Sequence, residues 1–139
     1  MSGSAGAAGF RGFVSARRDG NTNLNGSLSF RWMGGNASDV LWPRPNLEIN
    51  LRETASRIFL DGVLHGALYV NMHVLHWRQG PVDPSGAAIF VDVTASARIS
   101  SFLLYYTMEN LADDRSPLLS PLRVEGRNES WGARWSLID

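Results

Sequence analysis

The segment 89–99 alternates between apolar and polar side chains, with Phe90 as the exception. Its odd-numbered positions are all aliphatic, whereas its even-numbered positions include Asp92, Thr94 and Arg98. A period of two residues predicts a β-strand with one apolar face and one polar face. Because the polar face carries charges of both signs, it requires water or a polar lumen on that side. The pattern therefore favours a half-exposed antiparallel sheet or a membrane barrel with a wet interior.

The same alternation recurs along the chain and predicts six further strands. They are expected at 10–18, 24–32, from 47 onward with a blurred pattern at 53–57, at 63–75, at 102–109 and at 130–138. Strands of roughly nine to twelve residues exceed the five or six that are typical of soluble sheets and suit a tilted path across a bilayer. The sequence thus predicts an all-β fold, an antiparallel up-and-down meander of about seven long strands that forms a partial or small outer-membrane β-barrel.

The connections between these strands alternate in length. Turn residues at 19–23, 61–62 and 100–101 predict short turns, whereas 33–45, 76–88 and 110–129 are long and rich in residues that interrupt strands. In a meander this alternation places every long connection on the same side of the sheet. Outer-membrane barrels have the same arrangement, with short periplasmic turns and long extracellular loops.

Composition narrows the function classes. The chain has 139 residues, enough for one domain, and its 13 basic and 13 acidic side chains cancel, so no nucleic-acid partner is expected. It has no cysteine, no apolar run long enough for a spanning helix and no secretion signal as written. The small residues of 1–9 predict a flexible N-terminal segment, and 10–139 is expected to form the barrel domain.

Short motifs in the C-terminal part carry a family resemblance. The run 93–98 leads into a tight turn, Tyr106 begins a stretch that ends Asn110-Leu111-Ala112-Asp113, and a Gly126-Arg127 pair precedes an aromatic last strand. Over roughly 47–139 the chain resembles the end of a TonB-dependent outer-membrane receptor. In that family the penultimate strand commonly ends in Asn-Leu-x-Asp, and a Gly-Arg pair precedes the final strand.

The resemblance implies a function and a set of partners. This chain would be the C-terminal portion of a larger barrel in the bacterial outer membrane, serving TonB-dependent uptake of a scarce nutrient such as an iron chelate or cobalamin. Its partners would be outer-membrane lipid, the remaining strands and the plug of the receptor, and the TonB complex only through that plug. The small-molecule ligand is not identified, and the chain alone is not expected to transport.

Two other interpretations remain open from the residues themselves. One is a small self-contained outer-membrane barrel with a structural or adhesive role. The other is a soluble sandwich or lipocalin-like β-protein that binds a ligand, in which case the apolar face would be the core and the polar face would meet solvent.

Polar and aromatic side chains give the candidate site residues. The polar residues predicted to face the lumen are His65, His73, Asp92, Arg98, Glu109 and Arg134, and cross-strand ion pairs are expected among the last four. The residues predicted to form an interfacial aromatic girdle are Trp32, Trp42, Trp77, Tyr106, Trp131 and Trp135.

Catalysis and metal binding are not expected. The histidines His65 and His73 share a strand face but lie roughly 26 Å apart at about 3.3 Å per residue, too far to ligate one ion. The chain contains no Gly-rich phosphate loop, no Gly-x-Ser-x-Gly motif and no His-Glu-x-x-His motif. We therefore predict no enzyme activity, no cofactor and no metal site.

Overall fold

The computed structural model describes residues 6–18, 20–34, 45–76, 86–115 and 125–136. They form one antiparallel sheet in which every strand pairs with its neighbours in sequence, so the predicted seven-stranded meander is confirmed. The strands are β1 (Gly6–Arg18), β2 (Thr22–Gly34), β3 (Leu47–Phe59), β4 (Leu64–His76), β5 (Ala87–Ile99), β6 (Phe102–Glu109) and β7 (Asn128–Trp135). β1 and β7 are not paired with each other, so the sheet is open.

The strand register divides the side chains between two faces. Residues directly opposite each other across antiparallel strands point to the same side. We call the side of Val93 the apolar face; it carries the even-numbered residues of β1, β2, β4 and β6 and the odd-numbered residues of β3, β5 and β7. The opposite side is the polar face. A central row of the apolar face runs from Val14 through Val70 and Val93 to Met108.

No second layer covers the apolar face in the part of the chain that the structure describes. Leu68 and Leu104, both on this face, are 43% and 47% exposed. Among the described residues, the buried side chains are those of Ala88 and Asn110, and neither belongs to a large apolar residue. A soluble sheet normally packs its apolar face against another layer, and here the described residues supply none.

Several strands are longer than their sequence patterns predict. β1 begins at Gly6, so residues 6–9, which the sequence assigns to the flexible segment, start the first strand. β3 continues through 53–57, where Glu53 and Arg57 occupy positions on the apolar face. Pairing with both neighbouring strands holds this stretch extended, which side-chain alternation alone does not indicate. Residues 137–138 of the predicted last strand lie outside the described residues.

The short turns all lie at one end of the sheet, as the alternation of connection lengths predicts. Their described residues are 20–21, 60–63 and 100–101, and the second turn contains a single 3₁₀ turn, Leu60–Gly62. Leu60, Asp61 and Ser100 have φ values of 52°, 51° and 53°, the left-handed conformation that tight hairpins require. None of the described helical residues forms a segment long and apolar enough to cross a bilayer.

A glycine lets a tyrosine lie flat across the last hairpin. Tyr105 in β6 is directly opposite Gly132 in β7, and a Cβ on Gly132 would lie 2.5 Å from the Tyr105 Cζ atom. Such cover of a strand glycine by an aromatic ring helps to fix the register.

We therefore expect Gly132→Ala to lower the free energy of unfolding by about 1 kcal/mol, because the ring must move aside. Denaturant unfolding followed by circular dichroism measures this effect. In a Tyr105→Ala background the same glycine substitution should cost almost nothing, and an equal cost in both backgrounds would show that the ring contact is not the cause.

Candidate functional site

The six polar residues predicted to face a lumen all lie on the polar face, but they separate into two groups along the strands. His73, Asp92 and Glu109 lie in the half nearer the long connections. His65, Arg98 and Arg134 lie at the short-turn end, in one row that also contains Leu103. The acidic members are thus separated from the arginines by six residues along the strands, about 20 Å.

This separation corrects the expected ion pairs. Within the described residues, Asp92, Arg98, Glu109 and Arg134 form no salt bridge with one another. Asp92 instead accepts hydrogen bonds from the Asn110 backbone N–H at 2.9 Å and from Asn71 Nδ2 at 3.5 Å. Asn128 Nδ2 donates to Glu109 Oε2 at 3.4 Å. Amide N–H groups therefore bind the two carboxylates that were predicted to pair with guanidinium groups.

Glu48 is the centre of a polar cluster near the long connections. Its Oε1 atom lies 3.2 Å from Asn50 Nδ2 and 3.2 Å from His73 Nε2, and its Oε2 atom lies 3.4 Å from Arg31 Nη1. All four side chains are on the polar face of β2, β3 and β4. His73 is therefore engaged by a carboxylate, and the described residues contain no group of three side chains arranged to hold a metal ion.

A compact hydrogen-bonded unit closes the base of the long connection between β6 and β7. We call it the Asn110 node; it comprises residues 110–115 and 125–127. Asn110 is 6% exposed, and its Nδ2 atom donates to the carbonyl oxygens of Asp114 at 2.9 Å and Glu125 at 3.0 Å. Its Oδ1 atom accepts the Asp114 backbone N–H at 3.1 Å. One side chain thus joins both ends of the connection.

Asp113 makes the second link of the Asn110 node. Its Oδ1 atom accepts the Arg127 backbone N–H at 3.0 Å, and the Arg115 guanidinium lies 3.1 Å from the same oxygen. The hydrogen bond from the Arg127 N–H and, as the second contribution, the one from the Arg115 guanidinium hold the pKa of Asp113 below its ordinary value. The stabilisation that the Asp113 carboxylate gives to the Asn110 node is therefore fully present above the ordinary carboxyl pKa. It is lost as the pH falls through the lowered pKa of Asp113.

The absence of a side chain at Gly126 leaves room for the same contacts. A Cβ at this position would lie 2.8 Å from Asp113 Oδ1 and 3.0 Å from two nitrogen atoms of Arg115. The Asn-Leu-x-Asp stretch and the Gly-Arg pair, which carry the family resemblance in the sequence, are therefore in contact in the structure. The sequence indicated both motifs but not that they form one unit, because 12 residues separate Asp113 from Gly126 in the chain.

The aromatic residues predicted for an interfacial girdle lie at different heights of the apolar face. Trp32 is at the end of β2 near the long connections, and Trp135 is at the short-turn end of β7. Tyr106 and Trp131 are opposite each other in a row nearer the middle, about 13 Å from the Trp135 row. Trp42 and Trp77 lie outside the described residues.

Four phenylalanines that were not among the predicted girdle residues also lie at the two ends of the apolar face. Phe10 and Phe30 are directly paired near the long connections, whereas Phe59 and Phe102 lie at the short-turn end. Their alternation with polar neighbours was visible in the sequence. Their height along the sheet was not, because it depends on strand bounds that the pattern leaves uncertain by several residues.

Glu53 is a charged exception near the middle of the apolar face. It lies in the same row as Val70 and Val93, opposite Gly26 on the other side. Both carboxylate oxygens are 2.6 Å from the position that a Cβ on Gly26 would occupy. The missing side chain at Gly26 thus gives the carboxylate room to lie close to the backbone of β2.

Comparison with known proteins assigns neither a family nor a function to the chain. Neither the protein-family models, nor the curated proteins, nor the solved structures contain a match to the chain.

Proposed function

We propose that this chain is the membrane-embedded part of an outer-membrane β-barrel, with its apolar face against lipid and its polar face lining a wet interior. The observation that carries the proposal is the apolar face itself, which spans seven strands and has no protein cover in the described residues. Lipid is a suitable cover for the apolar side chains of such a face.

Strand dimensions support the proposal. The first five strands each contain 13 residues. At about 3.3 Å per residue a strand of this length extends about 43 Å, which exceeds an apolar band of about 25 Å even when the strand is tilted by about 40°. The phenylalanines at both ends of the apolar face, Phe10 and Phe30 at one end and Phe59 and Phe102 at the other, lie where aromatic residues flank such a band.

Strand direction favours a portion of a larger barrel over a self-contained one. Six connections reverse the chain between β1 and β7, so these two edge strands run in the same direction. Direct closure would make a parallel pair, whereas bacterial barrels are antiparallel throughout and have an even number of strands. Identical copies inserted in the same orientation meet the same obstacle, because β7 of one copy would meet β1 of the next. An odd number of additional strands completes the barrel.

The finer proposal is that the larger barrel is a TonB-dependent receptor for a scarce nutrient such as an iron chelate or cobalamin. The support is the motif resemblance, together with the contact between its two halves in the Asn110 node. In this proposal the long connections face the cell exterior, where ligand would first bind, and the polar face surrounds the plug. The TonB complex would act on the plug and not on this chain.

Fractionation of the source cells tests both levels of the proposal. An antibody raised against the purified chain should detect a polypeptide in the outer-membrane fraction that is several times longer than 139 residues. A band of about this length in the same fraction would overturn the receptor and support a small barrel that recruits a separate partner. Detection in the soluble fraction would contradict the membrane assignment itself.

A further inference from the structure

Two arginines at the short-turn end of the polar face have no acidic partner among the described residues. Arg98 in β5 and Arg134 in β7 are each opposite Leu103 in β6, so the two arginines flank one leucine on the polar face. Neither forms a salt bridge with a described residue. The described acid nearest this end, Asp61 in the β3–β4 turn, is not paired with either of them.

The described acids of the polar face lie away from these two arginines. Glu48, Asp92 and Glu109, the described acids on this face of β3, β5 and β6, all lie toward the long connections. The opposite end carries Arg98, Arg134 and, directly across from Arg98, His65. A surface with exposed cations and no acid within ion-pairing distance attracts anions.

Serine hydroxyls surround the same place. A recess of about 300 Å³ is lined by Arg98, Ser100, Ser101, Leu103, Arg134 and Ser136. Trp135 Nε1 donates to Ser101 Oγ at 3.1 Å, and the Ser136 N–H donates to the Ser101 carbonyl oxygen at 3.0 Å. These two bonds hold the end of β7 against the β5–β6 turn.

We propose that this recess binds an oxyanion, namely the phosphate or carboxylate group of a small, multiply charged molecule. Guanidinium groups recognise such groups through paired N–H donors, and hydroxyl groups supply further donors around them. An adjoining recess of about 550 Å³ shares Arg98 and is also lined by His65, Tyr69 and Tyr105. The remainder of the ligand would lie there against aromatic rings. The proposal does not depend on whether the apolar face meets lipid.

Titration of the full chain, folded in zwitterionic detergent and in phosphate-free buffer, tests the site. We expect inorganic pyrophosphate to bind saturably in calorimetry, and added salt to weaken it. Arg98→Gln and Arg134→Gln should each weaken binding by about tenfold, the loss that follows from one charge-assisted hydrogen-bonded contact. The matched control is Arg31→Gln, whose guanidinium pairs with Glu48 on the same face. It should leave pyrophosphate affinity unchanged within about twofold.

A second measurement covers the case in which a variant does not fold. Pyrophosphate should protect Arg98 and Arg134 of the unaltered chain from modification by phenylglyoxal, read by mass spectrometry, while Arg31 stays equally reactive. Absence of saturable binding to the unaltered chain would overturn the proposal. So would an equal loss in the Arg31 variant, or uniform protection of all three arginines, because either result indicates unspecific attraction of anions.

Discussion

Replacing Val93 with arginine is expected to lower the free energy of unfolding in lipid vesicles by about 2–4 kcal/mol. Val93 lies in the central row of the apolar face, and an arginine near the middle of a bilayer pays a cost of this size because its charge leaves water. The side chain can reach toward the interface, so the sheet should still form. Urea unfolding of the refolded chain, followed by circular dichroism, measures the difference.

Thr94→Arg is the matched control for this prediction. Thr94 is the next residue of β5 and lies on the polar face, where its hydroxyl is 3.0 Å from that of Thr107. Losing that hydrogen bond should cost about 1 kcal/mol, and the new charge would face water. Equal effects at the two positions would contradict the two-faced sheet. Complete failure of the Val93 variant to fold in lipid would indicate that Val93 is inside a protein core, where an unpaired charge is not tolerated.

Removal of the Asn110 side chain should have the second large effect. Asn110→Gly deletes two donated hydrogen bonds and one accepted bond, and leaves the Asp114 and Glu125 carbonyl oxygens without that partner. Lost hydrogen bonds at a buried polar group cost about 1–3 kcal/mol each where a partner stays unsatisfied, so we expect a total of about 2–4 kcal/mol. Glycine preserves the backbone, because Asn110 has a φ of 50°. Chemical denaturation gives the total effect, and hydrogen exchange at Arg127 reports the local opening of the node.

Two further variants separate the causes. Asn110→Ala should cost about 1 kcal/mol more than the glycine variant, because alanine does not tolerate the left-handed backbone. Asn128→Ala, which removes one exposed hydrogen bond to Glu109 at 3.4 Å, should cost less than about 1 kcal/mol. If Asn110→Gly were no more damaging than Asn128→Ala, the Asn110 node would not be what closes the connection.

Side-chain alternation was sufficient to predict most of the fold. The strand around Val93 and the division of β4 to β7 into an apolar and a polar face follow from a period of two residues, and the register agrees with both. The long and short connections were also predicted, because turn residues and strand-breaking residues are local signals. β3 was the difficult strand, since Glu53 and Arg57 interrupt its apolar positions and only pairing with β2 and β4 keeps it extended.

The sites were harder to predict because they depend on residues that are distant in sequence. Asn110 and Arg127 belong to two separate sequence motifs. The Arg127 N–H reaches Asp113 of the first motif only because the connection folds back. Arg98 and Arg134 were expected to pair with Asp92 and Glu109. That expectation considered which face each residue occupies but not its height along the strand, and the height separates the charges.

The most direct test of the lipid-facing apolar face compares two neighbouring positions of β5. The chain has no cysteine, so Val93→Cys and Thr94→Cys each create a single site for a nitroxide spin label. In lipid vesicles we expect the label at 93 to collide with dissolved oxygen and to be shielded from a water-soluble nickel complex, with the reverse at 94. A label at 93 that is open to the nickel complex, or closed to both reagents, would contradict contact between the apolar face and lipid.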